Sequence, residues 1–344
     1  MLILWSQILF IDLFKFICAL LVVSIHSTMF LEWDGLYHFF HNYITRFAVP
    51  FFFISSGFFF SRILENKDTM KSGIKHYSIR LLRPFAMWGS FYFVISFLEM
   101  ILVDKTSIYT AIKYKLHLLL VESPGGGLWY VEALLWICLI VRFTYKNDEN
   151  LRNYLIIGGI LYLIQGTWNL EGLEFASILK SMYFKVFLSE RTFIFYGIYF
   201  FIGIFIALNM KKMISSPIRL FLLQVILYVA FAVTNLKVDY IVIAMTSQLI
   251  KGFIAVNWFL IALNISNDSI PNCWLKYNSR KVSTIIYFTH FTAIYFVKFV
   301  YKILNIEFNT KCTIACLICI VLLIAYAVLL CQSDKMKKII SALY

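Results

Sequence analysis

The feature of this sequence that most constrains its fold is a series of long apolar segments. A helix that crosses a bilayer needs about 20 mostly apolar residues, and backbone groups in lipid must be hydrogen-bonded within the segment. We identify such segments at 10–32, 43–60, 84–103, 128–145, 154–170, 192–210, 219–236, 240–263, 283–303 and 312–332. They predict an all-α, polytopic integral membrane protein of about ten transmembrane helices. We expect one transmembrane domain over residues 1–344 and no appended soluble domain.

The composition supports a lipid environment. Hydrophobic residues make up 61% of the chain and charged residues 14%, whereas soluble domains are roughly 45–50% apolar and about 25% charged. The excess apolar surface must face a lipid bilayer. In a soluble protein the net charge of +13 would raise nucleic acid as a partner, but here it fits the basic bias of cytoplasmic loops. We therefore predict no nucleic-acid partner.

The Lys and Arg residues of the connecting segments predict the orientation. Most of them fall on one side of the membrane if both termini are cytoplasmic, as the positive-inside rule requires. The segment 61–83 contributes most, with Arg62, Lys67, Lys71, Lys75, Arg80 and Arg83. We expect a multi-pass protein of the inner, or cytoplasmic, membrane with both termini in the cytoplasm.

Ionisable residues inside the apolar segments are the first candidates for chemistry. Each costs about 2.5–3.5 kcal/mol on insertion scales. They are Asp12, Lys15, His26, Glu132, Lys251 and His290, with Glu99 near a helix end. The partner of Lys251 is left open by the sequence.

Lys15 and His26 are eleven residues apart, which places them on one face of a helix. They are separated by roughly 16 Å along the axis, so Lys15 lies near the cytoplasmic end and His26 near mid-membrane, with Asp12 one turn from Lys15. Histidine is suited to general base catalysis because its pKa is close to neutrality. The alternative is a lysine that reaches the interface and a hydrogen-bonded core histidine.

Ser283, Tyr287 and His290 also share one helix face, at i, i+4 and i+7. A site role and a polar stripe that packs helices together fit this pattern equally.

Two further groups of residues suggest binding functions. Arg80 and Arg83 end the most basic loop, and Pro84 suits the first turn of the helix that follows. Two Arg residues at this spacing suit bidentate binding of phosphate, although anchoring at the cytoplasmic face explains their charge. Trp129 fits an interfacial aromatic belt, whereas Glu132 has the chemistry to accept a hydrogen bond from a sugar hydroxyl.

The cysteines do not indicate a metal or a disulfide framework. Cys316 and Cys319 have a redox or metal-binding spacing, but they lie in a lipid-length segment without a second pair. We interpret them as packing residues and predict no metal site.

The segment Ile11–Ser27 resembles the first helix of membrane acyltransferase family 3, the bacterial O-acyltransferases of surface glycans. That helix carries a basic residue, ten intervening positions and then His, which here reads Lys15 to His26. The family more often has Arg at the first position, so Lys15 keeps the charge and loses the bidentate geometry. Further matches follow in order at Val49–Phe60, Arg80 with Arg83, Leu128–Leu135, Glu190–Phe205 and Lys281–His290.

The resemblance implies acyl transfer from a coenzyme A thioester. It implies that His26 is the essential base or relay and that Arg80 and Arg83 lie toward the coenzyme A phosphates. Members without an appended extracytoplasmic domain act either alone or with a separate extracytoplasmic transferase partner.

We therefore expect an O-acetyltransferase type of enzyme. It would move an acyl group, acetyl in the simplest case, from cytoplasmic acyl-coenzyme A to a hydroxyl of a cell-surface or lipid-linked glycan of the cell envelope. The predicted catalytic residues are His26 and Lys15, and Arg80 and Arg83 bind the donor. The predicted acceptor contacts are Glu132, Trp129, Tyr287, His290 and Ser283.

Two other functions are consistent with the same residues. A transporter or flippase of a lipid-linked glycan also carries intramembrane charges, but it is expected to have related halves with paired broken helices, which we do not find in the sequence. A non-catalytic membrane subunit is the third interpretation, and it predicts that His26 and the two arginines are replaceable.

Overall fold

A computed structural model describes residues 2–65, 68–102, 105–121, 127–168, 170, 173–187, 190–235, 240–265 and 274–332. The described residues form helices and no β-strand. The helices are α1 (Leu2–His26), α2 (Asp34–Phe39), α3 (Ala48–Glu65), α4 (Met70–Leu102), α5 (Ile108–Val121), α6 (Trp129–Thr144), α7 (Asp148–Gly166), α8 (Glu174–Val186), α9 (Phe193–Leu208), α10 (Met210–Met213), α11 (Pro217–Asn235), α12 (Ile241–Asn264), α13 (Trp274–Ile303) and α14 (Cys312–Gln332). A π-helical turn at Phe40–Ile44 continues α2, and a 3₁₀ turn at Phe308–Thr310 precedes α14.

The all-α membrane fold predicted from the apolar segments is confirmed. Seven of the described helical stretches are long and apolar enough to cross a bilayer: Leu9–His26, Asp34–Glu65, Met70–Ile101, Pro217–Asn235, Ile241–Asn264, Lys276–Ile303 and Cys312–Gln332. The apolar helix α9 is shorter, and α6 and α7 do not meet the same criterion of length and hydropathy. The total of ten spanning helices therefore stays a prediction.

Helices α3 and α9 form the centre of the bundle, and α1 packs against α13. The first pair meets at glycines. A β-carbon on Gly57 would lie 1.8 Å from the Phe200 carbonyl oxygen, and one on Gly203 would lie 2.0 Å from the Ile54 carbonyl oxygen. Small residues at such positions allow close approach of helix backbones in membranes, where lipid provides no hydrophobic drive for association.

The basic segment before Pro84 is helical, which corrects the loop expected from the sequence. Helix α4 runs from Met70 to Leu102 with Pro84 inside it, so Arg80 and Arg83 lie within a helix and not at the end of a loop. The reason is amphipathicity, since Ile74 is fully buried and Tyr77 packs edge-on against Phe60. Burial of this apolar side stabilises the helix on both sides of a proline that removes one backbone hydrogen bond.

The turn after α1 fixes the end of the helix that carries His26. Thr28 and Phe30 have φ values of 51° and 70°, in the left-handed region that non-glycine residues seldom adopt. The Phe30 backbone N–H donates to the Thr313 hydroxyl at 3.0 Å. The Glu32 carboxylate accepts hydrogen bonds from the Thr313 N–H at 2.8 Å and from its hydroxyl at 2.6 Å. The turn is thereby attached to the N-terminus of α14.

The Glu32 contact makes stability sensitive to acid. Burial raises the pKa of Glu32, but the hydrogen bonds from Thr313 outweigh it and lower that pKa from 4.5 to about 2. Because the folded-state pKa is below the unfolded value, the stabilisation is complete above about pH 4.5 and is lost as the pH falls toward 2. Glu32→Gln removes the charge at the helix N-terminus, worth about 0.3–1 kcal/mol. We expect a lower thermal midpoint at pH 7 and a smaller loss of stability on acidification.

Glu307→Gln is the matched control for that measurement. Glu307 is exposed, and none of the described hydrogen bonds involves its carboxylate. Equal thermal midpoints for Glu32→Gln and Glu307→Gln between pH 3 and 7 would contradict the role given to Glu32.

Candidate functional site

His26 lies on the wall of a large cavity inside the helical bundle. The cavity has a volume of about 500 Å³, within the 300–1,000 Å³ typical of small-molecule sites. Its wall includes Trp129 from α6 and Tyr287 from α13. The sequence placed these residues at the acceptor, and the fold brings both to the cavity that His26 faces.

The imidazole of His26 is packed against a second imidazole. Its ring centre is 5.2 Å from that of His290 and 4.7 Å from that of Phe291. His290 is only 1% exposed, and its Nδ1 contacts the Tyr287 carbonyl oxygen. Its Nε2 has no hydrogen-bond partner among the described residues. The pair therefore joins the end of α1 to the middle of α13.

A glycine allows the loop before α6 to approach this pair. A β-carbon on Gly127 would lie 2.2 Å from the Phe291 ring and 3.3 Å from the ring of His290. The Tyr287 hydroxyl donates to the Gly127 carbonyl oxygen at 2.9 Å. These contacts link the side chain of Tyr287 to the backbone at Gly127.

A smaller cavity of about 190 Å³ lies next to the large one and is rich in cations. Lys15, Arg80 and Arg280 line it together with Ser283. The Lys15 ammonium is 3.4 Å from the Asp12 carboxylate and 4.5 Å from the centre of the Phe59 ring. One carboxylate therefore accompanies three basic residues around this cavity.

Three aromatic residues lie between the two cavities, because Phe52, Tyr130 and Tyr287 line both of them. We call them the aromatic partition. The Tyr130 and Tyr287 rings meet edge to face with their centres 5.6 Å apart, and the ring centres of Phe52 and Tyr130 are 5.8 Å apart. The Tyr130 hydroxyl shares a hydrogen bond of 2.7 Å with Ser56. Lys15 and His26 thus line different cavities, although they share one face of α1.

The other residues selected from the sequence have different positions. Arg83 is exposed and does not line either cavity. Glu132 is buried in α6, and His290 is buried behind His26, so these two are also outside both linings. The contacts predicted for Glu132 and His290 with the acceptor stay predictions.

Several polar residues of the large cavity were not selected from the sequence. The Gln248 side-chain amide donates to Gln165 at 3.3 Å, and Gln165 donates to the Glu190 carboxylate at 3.0 Å. Lys251, whose partner the sequence left open, lies on the same wall with Arg46. Glutamines inside apolar segments were the available signal, but nothing in the sequence indicates that α7 and α12 meet at these positions.

Comparison with known proteins gives one curated relative, and the match covers only part of each chain. An amino-acid racemase of Enterococcus faecalis is 28% identical over 180 residues, which is 50% of this chain and 23% of the racemase. The chain therefore matches less than a quarter of that protein's length. No solved structure matches the chain.

The family model described as an acyltransferase domain matches residues 8–330, nearly the whole chain. The match includes the helix with Lys15 and His26, both cavities and the aromatic partition. It confirms the family indicated by the sequence motifs, and the chain belongs to acyltransferase family 3.

Proposed function

We propose that this acyltransferase moves an acyl group, acetyl in the simplest case, from cytoplasmic acyl-coenzyme A to a hydroxyl of a cell-surface or lipid-linked glycan. The observation that supports this most is the pair of cavities. A cation-lined cavity and a cavity that contains His26 meet at the aromatic partition. Such an arrangement suits a polyanionic donor on one side and a polyhydroxylated acceptor on the other.

The donor side is the small cavity. Its volume of about 190 Å³ is below the 300–1,000 Å³ range of whole-ligand sites, so it suits the acyl-bearing arm and leaves the phosphates outside. Arg80 lines this cavity and is itself exposed, and the exposed Arg83 follows three residues later in α4. Guanidinium groups bind phosphate in bidentate geometry. By the positive-inside rule this side faces the cytoplasm, with both termini.

The acceptor side is the large cavity. Its wall combines aromatic rings, including Trp129 and Tyr196, with the amides of Gln165 and Gln248. Ligand sites commonly pair apolar walls with a few polar groups that fix orientation. A saccharide, with apolar ring faces and hydroxyl edges, has the complementary chemistry.

His26 acts as the general base in this mechanism. The acceptor hydroxyl loses its proton to the imidazole while its oxygen forms a bond to the thioester carbonyl carbon. The carbon–sulfur bond then breaks, and the proton returns to the departing sulfur, which leaves free coenzyme A. Because His290 is adjacent, simultaneous protonation of both rings is disfavoured by repulsion of like charges. Transfer through an acyl-enzyme intermediate is a second route to the same products.

The aromatic partition must open or tilt for the acyl carbon to reach the acceptor. The ring centres of Tyr287 and His290 are 6.0 Å apart, so movement of the tyrosine ring would change the packing of the histidine pair. The partition would also limit the access of water to the thioester while no acceptor is bound.

Replacement of Arg80 tests the donor site. We expect Arg80→Ala to raise the KM for acyl-coenzyme A roughly 10-fold, since a charged hydrogen bond contributes about 1.5–3 kcal/mol. Arg80→Lys should restore part of the loss. The control is Arg62→Ala, at an exposed arginine in the last turn of α3 that does not line a cavity. Equal KM values for Arg80→Ala and Arg62→Ala would remove Arg80 from the donor site.

Mass spectrometry of surface glycans tests the proposed function in cells. Glycans from cells that produce the protein should carry an added acyl mass that is absent without it, and Arg62→Ala should keep that mass. Loss of export of an otherwise unmodified glycan would instead indicate a transporter or flippase. An unchanged, fully exported glycan would exclude both functions.

A further inference from the structure

The large cavity carries an excess of positive charge that the acyl-transfer reaction does not use. Its charged lining residues are Arg46, Arg191, Lys251 and Glu190. Three of these are basic and one is acidic, and the Glu190 carboxylate already accepts a hydrogen bond from Gln165. The basic residues of this lining therefore outnumber the acidic one.

Lys251 is the residue that most requires an explanation. It lies inside α12, in a stretch long and apolar enough to cross the membrane, where an ammonium group is costly. No carboxylate lies within 4.0 Å of its nitrogen in the part of the chain that the structure describes. The Lys251 nitrogen instead lies over an aromatic ring, 5.5 Å from the centre of Phe231.

The surrounding charges do not compensate for Lys251. Arg46 lines the same cavity, and its guanidinium donates to neutral Asn42 at 3.0 Å. Arg191 lies on the wall of the same cavity, as does His26. Lys251 therefore shares its cavity with two further basic residues, and a bound anion would reduce the cost of placing its ammonium group in the membrane.

We propose that the acceptor carries an anionic group, a phosphate or a carboxylate, which binds to Lys251 in the large cavity. This proposal rests on the proposed function, because it assigns a substrate class to the same acceptor site. The sugar ring would lie along the aromatic wall, with the anion at Lys251 and a hydroxyl directed to His26. A phosphate would come from a lipid-linked or phosphorylated glycan, and a carboxylate would come from an acidic sugar.

Binding of three small probes to the purified protein in lipid nanodiscs tests this assignment. The probes are glucose 1-phosphate, glucuronic acid and glucose. We expect at least one anionic probe to bind wild type roughly 10-fold or more tightly than glucose, as a charge-assisted contact provides. The tighter of the two anionic probes identifies the source of the charge.

Substitution of Lys251 locates the contact. Lys251→Met keeps an unbranched side chain without the charge, and it should weaken binding of the anionic probe roughly 10-fold to 100-fold and leave glucose unchanged. Lys251→Arg should retain the preference. The matched control is Lys298→Met, since Lys298 also lies over an aromatic ring, 5.1 Å from the centre of Phe308, and does not line either cavity.

The proposal is overturned if wild type binds the three probes equally, or binds none of them, or if Lys251→Met keeps the preference for anions. The measurement contains no acyl donor, so its result is independent of whether acyl transfer occurs. Loss of transfer in a His26 variant that still binds the anion would separate the two claims.

Discussion

Replacement of His26 with alanine is expected to lower the rate of acyl transfer roughly 10²–10⁴-fold, the usual contribution of a positioned general base. His26 lines the large cavity and lies against the buried His290, so its loss removes the base without opening the bundle to lipid. Release of free coenzyme A and formation of the acylated acceptor are measured together in nanodiscs. The KM for the donor should change little, because the small cavity does not include His26.

His76→Ala controls for the loss of an imidazole elsewhere. His76 is exposed in α4 and does not line either cavity, so this variant should keep the wild-type rate. Thermal midpoints and elution profiles must be equal for the two variants. A His26→Ala protein that is normally folded and transfers acyl groups at the wild-type rate would refute the catalytic assignment.

The second large effect is a loss of stability, which we expect from the substitution Gly203→Ala. The added β-carbon would lie 2.0 Å from the Ile54 carbonyl oxygen and 2.8 Å from the Phe58 nitrogen. Both are backbone atoms of α3, so the two helices must separate. Overpacking of this kind costs about 1–3 kcal/mol or more. The thermal midpoint should fall, and activity should fall with it, since α3 carries Phe52 of the aromatic partition.

Gly35→Ala is the control for that substitution. Gly35 lies in α2, and a β-carbon there meets no atom within 4 Å. The free energy of unfolding of the Gly35→Ala variant should stay within about 0.5 kcal/mol of wild type, as is usual for surface substitutions. A thermal midpoint for Gly203→Ala equal to that of Gly35→Ala would contradict the close packing of α3 and α9.

The apolar segments predicted the fold class because lipid restricts the backbone to helices. They did not predict where α4 begins. The predicted apolar segment begins at residue 84, after the lysines and arginines of 70–83, but Ile74 and Tyr77 turn inward and extend the helix over those residues. Amphipathic ends of spanning helices are therefore missed by hydropathy alone.

Helical periodicity placed Lys15 and His26 on one face of α1, and each of them lines a cavity. It could not show that the interior is divided. Phe52, Tyr130 and Tyr287 come from three helices far apart in the sequence, and in a chain with 19% aromatic residues none of them is conspicuous. The partition depends on tertiary contacts that a single sequence does not specify.

Buried polar residues were only partly informative about the site. Glu132 and Lys251 both lie within apolar helices, but Lys251 lines the large cavity and Glu132 does not. A polar residue in an apolar segment indicates that the side chain is shielded from lipid. Which interior space it reaches depends on the rotation of its helix against its neighbours.

The central claim is that the acyl group passes from the cavity with Arg80 to the cavity with His26, across the aromatic partition. Sealed proteoliposomes of one protein orientation, with acyl-coenzyme A and the glycan acceptor placed on chosen sides, test it most directly. We predict acylation only when the donor is on the side of Arg80 and the acceptor is on the opposite side. Equal acylation with both substrates on the Arg80 side would contradict the claim.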